Sequence, residues 1–209
     1  MSDPQIQALT RSVDYFASVL RMQEADEPDV ERVMDGYLDH KRTIALEMQR
    51  LAIRHLDLDL DALGSWRSRV EDSMPAVMDG LVTVLPGVYF KVRGFTGVHP
   101  RLYAYLERHA GRSISGSRLR ILTADQVHTE RRVRELRDLG LSVHTTKSSG
   151  EDLYTLDLGA SDVEFGALTQ LSRNLKELQS APATLRRDLR AQIEAELEGR
   201  TAARNPPAG

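Results

Sequence analysis

The sequence predicts a mainly α-helical chain with one small β wing. Apolar residues recur at three- and four-residue steps over most of its length, the spacing of one helix face. The stretch 141–158 instead alternates apolar and polar residues around turn-forming ones, as strands do. Just before it, two short helical patterns stand on either side of a tight turn. The expected organisation is a helical region at 1–97, possessing the means to oligomerise, a wing-bearing module at 98–160, C-terminal helices at 161–200 and a disordered tail at 201–209.

From the N-terminus, Pro4 to Met22 reads as an amphipathic helix with Ile6, Leu9, Val13, Phe16, Ala17 and Leu20 on one side. A long helix follows Pro28 and ends near Leu56. Its stripe, Val30, Met34, Tyr37, Lys41, Ile44, Met48, Leu51 and His55, alternates steps of four and three, which is heptad spacing. Either the stripe packs inside a helical bundle or it joins two subunits. Asp57, Asp59 and Asp61 open like a calcium loop, but Ala62 stands where the turn needs glycine and Ser68 where the bidentate glutamate belongs. A connector with Leu56, Leu58 and Leu60 turned inward is the better reading. Trp66 to Val77 reads as a further helix. Leu81 to Val92, with Pro86-Gly87 at its middle, reads as a hairpin on a type II turn, with a helix ending at Leu85 as the rival.

The module then begins at His99-Pro100, with Leu102, Tyr103, Tyr105 and Leu106 as the inner face of its first helix. Ser115 is placed to cap a short helix over 116–122, and Asp125 to cap a second over 126–139 that stops at Gly140. On the second helix Thr129, Val133, Leu136 and Gly140 share the inner face, while Glu130, Arg131, Arg134 and Asp138 point away. Strands at 141–146 and 153–158 close on the loop Lys147-Ser148-Ser149-Gly150. Helix, turn, helix and hairpin in this order make a winged helix-turn-helix, which most often sets its second helix in the DNA major groove. Beyond it, Ser161 to Glu164 has the pattern of a capping box. Leu168, Leu171, Leu175 and Leu178 line one helix at heptad steps, and Leu185, Leu189, Ile193 and Leu197 line a last one ending at Gly199.

The small-residue turn before Leu119, the run Arg131 to Gly140 and the hairpin ending Leu153-Tyr154-Thr155-Leu156 resemble the winged-helix domain attached to HNH-type and other restriction-like endonucleases, and found in stand-alone bacterial regulators. The resemblance covers about His99 to Leu158. It implies a DNA-binding regulator, or the recognition part of a restriction or phage-defence system. The metal-binding module of such nucleases has no counterpart, since 159–209 holds neither His nor Cys.

Composition narrows the function classes. The 209 residues carry a net charge of −3, so the chain as a whole is no polycation coating nucleic acid. Residues 112–147, however, hold eight basic residues against four acidic ones. With no cysteine, disulfides, thiolate metal sites and thiol nucleophiles are excluded. The N-terminus does not read as a signal peptide, and no apolar run is long enough for a membrane helix, so a cytoplasmic protein without membrane contact is expected. No hydrolase, metalloprotease or phosphate-loop motif is present, and Tyr89 replaces the acid that Asp79 and Lys91 would need in a nuclease triad. No catalysis, metal or cofactor is expected.

The expected DNA contacts are Gln126, His128 and Thr129 at the start of the second helix, Arg131, Arg132 and Arg134 along it, and Arg118, Arg120 and Lys147 on phosphates. His144, on the wing, is a further candidate. The opposing reading is that interleaved acids, in pairs such as Glu130–Arg134, merely solvate the face and that the module docks protein. Double-stranded DNA is thus the expected partner, with a homodimer or partner protein through the helical regions.

Overall fold

A computed structural model describes residues 3–23, 29–78, 85–126 and 128–204. The chain is mainly helical, with a three-stranded sheet between helical N- and C-terminal parts. Helix α1 (Pro4–Gln23) and the long α2 (Val30–His55) form an antiparallel hairpin. Asp29 caps α2 by accepting from the Arg32 N–H. Then follow α3 (Ala62–Ser73), two short 3₁₀ turns (Ala76–Met78 and Gly87–Phe90), α4 (His99–Arg108), β1 (Ile114–Ser115), α5 (Gly116–Leu122), α6 (Thr129–Arg137), β2 (Ser142–Ser148), β3 (Glu151–Asp157), α7 (Val163–Glu177) and α8 (Ala183–Arg204).

The strands are antiparallel in the order β1-β3-β2, with Ile114 opposite Tyr154 and Ser148 opposite Glu151. β1, which sequence pattern does not reveal, ties the start of α5 to the sheet. The expected four-residue loop is a two-residue turn: Ser149 (φ 51°) and Gly150 (φ 81°) both take positive φ, the geometry whose twist matches a hairpin. Helix α4, the α5–α6 pair and this sheet form the winged helix-turn-helix.

One apolar core runs from Leu63 to Ile193 and includes residues of α3, α4, α5, α6, the sheet, α7 and α8. The leucine stripes of α7 and α8 are spent here. Leu168, Leu171 and Leu175 are at most 2% exposed, with Leu189 and Ile193 buried beside them. They therefore cannot recruit a second subunit.

Several local expectations are corrected. Residues 81–84 lie outside the described residues, but Gly87–Phe90 is a 3₁₀ turn and not half of a hairpin, and Gly87 lacks the positive φ of a type II turn. The reason is α7. Asn174 donates to the carbonyls of Tyr89 and Lys91, at 2.8 Å each, and satisfies backbone that a partner strand would otherwise serve. The fully buried Tyr89 places its hydroxyl between the Leu178 carbonyl and the Ala181 N–H. Helix α3 starts and stops about four residues earlier than Trp66–Val77. Leu56 and Leu58 do turn inward, whereas Leu60 is exposed. At α7 the cap is Asp162, accepting from the Phe165 N–H. Ser161 serves the Ser142 N–H instead, and Glu164 pairs with Arg200. Helix α8 continues past Gly199 to Arg204.

Candidate nucleic-acid interface

Helix α6 begins later than expected. Asp125 does not cap it; Ala124, Asp125 and His128 all take positive φ, and the connector makes its own turn before Thr129. Asp125 instead pairs with Lys41 of α2 at 2.7 Å. The Ser115 cap of α5 is present, accepting from the Arg118 N–H at 3.4 Å.

The C-terminal end of α6 is held by the body. Its last carbonyls would be unpaired in an isolated helix. Here Trp66 Nε1 donates to the Leu139 carbonyl at 2.8 Å, Gln170 Nε2 to that of Asp138 at 2.9 Å and the Asp162 N–H to that of Gly140 at 2.8 Å. Gly140, at φ 80°, makes the stop possible. A Cβ there would overlap the Asp162 carbonyl, and one at Gly166 would overlap that of Leu139. The end of α6 thus meets α7 backbone to backbone. On the other side Gln49 of α2 caps the Leu122 carbonyl at the end of α5.

With its inner face buried at Thr129, Val133 and Leu136, α6 presents its arginines outward. They are not equivalent. Glu135 accepts from Arg131 (3.1 Å), Arg132 (2.9 Å) and the buried His99 ring (2.8 Å). Burial pushes the Glu135 carboxyl upward, but the Arg132 and His99 hydrogen bonds and the Arg131 contact outweigh it and hold the group below the ordinary glutamate range. Glu130 pairs with Arg120 of α5 at 2.6 Å, not with Arg134, and that bond lowers its pKa. Arg134 is exposed and has no acidic partner among the described residues.

Arg137 does a different job. It donates from Nε to the Val143 carbonyl and from a terminal nitrogen to the Thr145 hydroxyl, both at 2.6 Å, which lays β2 alongside α6. Burial lowers its pKa, and the neighbouring Arg134 adds to the effect. Thr145 and Lys147 share a face of the strand, so Lys147 extends the same edge toward the wing tip. Lys147 is exposed and without an acidic partner among the described residues, as is Arg118 on α5.

The structure therefore sorts the expected site residues. Arg118, Arg134 and Lys147 are open cations. Arg120, Arg131 and Arg132 are exposed or half-buried but paired. Gln126 and His128 are exposed at the start of α6. Thr129 is withdrawn from the set: it is 3% exposed and bonds Thr123 hydroxyl to hydroxyl at 2.8 Å, turned inward by the face it shares with Val133. His144 bonds the Ser142 hydroxyl at 3.1 Å. Sequence reading missed Glu135 as the organiser of two arginines, although the three- and four-residue spacings were visible. The third donor, His99, had no local signal, being 36 residues away.

Among the described residues no group of His, Asp or Glu is arranged to hold a metal ion, and no helix is long and apolar enough to cross a membrane. Residues 99–166 match the family model of the KpnI N-terminal domain, about a third of the chain. The match starts with α4, covers the wing and ends at Gly166, so it includes the glycine contact between α6 and α7. No curated protein and no solved structure matches the chain.

Proposed function

We propose that this protein binds double-stranded DNA through α6 and the β2–β3 wing, and performs no chemistry of its own. The observation that carries the reading is the placement of Arg134 and Lys147. Both are open cations on one edge of a winged helix-turn-helix, whose recognition helix is braced from behind by Trp66, Gln170 and the α7 backbone. Arg134, Lys147 and Arg118 serve as phosphate contacts that fix register. Gln126 and His128, at the exposed start of α6, face base edges. Arg120, Arg131 and Arg132 enter by exchanging carboxylate for phosphate, an exchange that costs part of the gain because each already has a partner.

The likeness to the KpnI N-terminal domain supports a place in a restriction or phage-defence system, with a stand-alone regulator as the other setting. A competing reading is favoured by one observation: Glu130 and Glu135 already pair with three of the arginines. On that reading the winged module docks protein in a multi-protein assembly and touches no DNA.

Selection of the purified chain on random duplexes decides between them. The DNA reading expects enriched sequences, and binding by gel shift that is lost in the Arg131→Ala/Arg134→Ala variant. No retention of DNA, or retention unchanged in that variant, supports the protein-docking reading instead.

A further inference from the structure

The α1/α2 hairpin carries an apolar face that the body does not cover. On α1, Ile6, Val13 and Leu20 stand seven residues apart and lie 49%, 54% and 42% exposed. On α2, Val30, Met34, Tyr37 and Leu38 are all more than half exposed. Phe16 joins the two rows, its ring 6.2 Å from that of Tyr37. Half-exposed side chains of this size leave on the order of 100 Å² open each, so the seven offer roughly 700 Å² per protomer. A stable interface takes about 800 Å² a side.

The charges beside this face identify its occupant. Asp14 follows Val13 and Arg21 follows Leu20; Glu31 follows Val30, and Arg42 lies one turn beyond Leu38. All four are exposed, and none has a partner of opposite charge among the described residues. Among the described residues the Arg21 guanidinium meets the Ala17 carbonyl alone. The midpoint of Asp14 and Arg21 falls between Ala17 and Ser18. The midpoint of Glu31 and Arg42 falls between Gly36 and Tyr37. These two points are level across the hairpin, because the Phe16 ring lies beside that of Tyr37 and Val19 lies against Gly36.

A single two-fold axis through that level, perpendicular to the helices, therefore sets Asp14 opposite the copy's Arg21 and Glu31 opposite the copy's Arg42, each twice. An isologous contact must be self-complementary in this way, and both helices are complementary about one point.

We propose that this face binds a second copy of the chain. The outer halves of two hairpins overlap antiparallel in a four-helix bundle, with the winged modules at its opposite ends. The proposal does not depend on the DNA reading, since no residue of α6 or the wing takes part.

The test is the mass of the full chain in solution by sedimentation equilibrium. The wild type is expected at twice the 23.4 kDa of one chain. Met34→Glu/Tyr37→Glu, at two exposed positions, is expected at the monomer mass with an unchanged helical spectrum. Asp14→Arg alone and Arg21→Asp alone each place like charges across the axis and are expected to weaken association at least tenfold. Mixing those two variants restores opposite charges at both crossings and is expected to give a mixed dimer. A monomeric wild type, single variants that associate like the wild type, or a mixture that stays monomeric would each overturn the proposal. A monomeric wild type would also leave the face to a partner of different chemistry.

Discussion

Two stretches of this chain have the same heptad periodicity and use it oppositely. On α7, Leu168, Leu171 and Leu175 are at most 2% exposed, because α8 and α3 close over them. On α2, Val30, Met34 and Tyr37 are 61%, 58% and 52% exposed, because among the described residues α1 alone packs along this outer half of the helix. Periodicity specifies that a helix has an apolar side. Which neighbour covers that side is decided by chain connectivity. The α7 stripe is followed by another helix of matching pattern after Ala181-Pro182. Among the described residues, no element that follows α2 folds back over its outer half.

The contrast can be broken most severely at glycine. Gly140→Ala forces a Cβ into the Asp162 carbonyl at a φ of 80° and is expected to destabilise the body by about 2–4 kcal/mol. The same change at Gly36 of α2 brings a Cβ to ordinary contact with Val19, at 3.5 Å. There the gain in helix propensity is expected to leave stability level or raise it by up to about 1 kcal/mol. Urea melts of the two variants measure the difference, and equal losses would contradict it.

Core truncation gives a second, similar separation. Leu171→Ala is expected to cost about 2–5 kcal/mol, through lost burial and the cavity left behind. Met34→Ala is expected to stay within about 0.5 kcal/mol when the chain is held monomeric by dilution. Trp66→Phe tests the brace behind α6. It keeps most of the ring but leaves the Leu139 carbonyl without its donor, for an expected loss of about 1–3 kcal/mol in the same melts.

The smallest expected effect is that of acid. Glu135 is held below the ordinary glutamate range in the folded state, so its contribution is fully present above the unfolded-state pKa. It is lost as pH falls through the folded value. Melting temperatures of Glu135→Gln should accordingly show a shallower decline on the acid side than the wild type. An unchanged acid limb would mean that the His99, Arg131 and Arg132 contacts contribute nothing to stability.

What the sequence made legible follows the range of the forces involved. The helices, the Ser115 cap, the Gly140 stop and the outward turn of Arg131 and Arg134 depend on neighbours a few residues away, and local spacing reveals them. The 3₁₀ turn at Gly87–Phe90 depends on Asn174, more than 80 residues on, and β1 exists only by pairing with β3. The sorting of arginines is mixed in the same way. Arg131 and Arg132 meet Glu135 on their own helix, but Glu130 turns to Arg120 across the helix-turn-helix, and Arg137 is drawn to the wing. The inward turn of Thr129 was already implied by its face with Val133, which conflicts with any role at a base edge.

The open and paired cations of α6 and β2 furnish the most direct test of the DNA reading. The measurement is the salt dependence of duplex binding, by fluorescence anisotropy, for the wild type and Arg134→Ala/Lys147→Ala. If both side chains hold phosphates, the slope of log affinity against log salt should become shallower by about 2 in the variant, with affinity falling on all duplexes alike. A wild type with no salt-dependent DNA binding, or a variant with the same slope, would contradict the account.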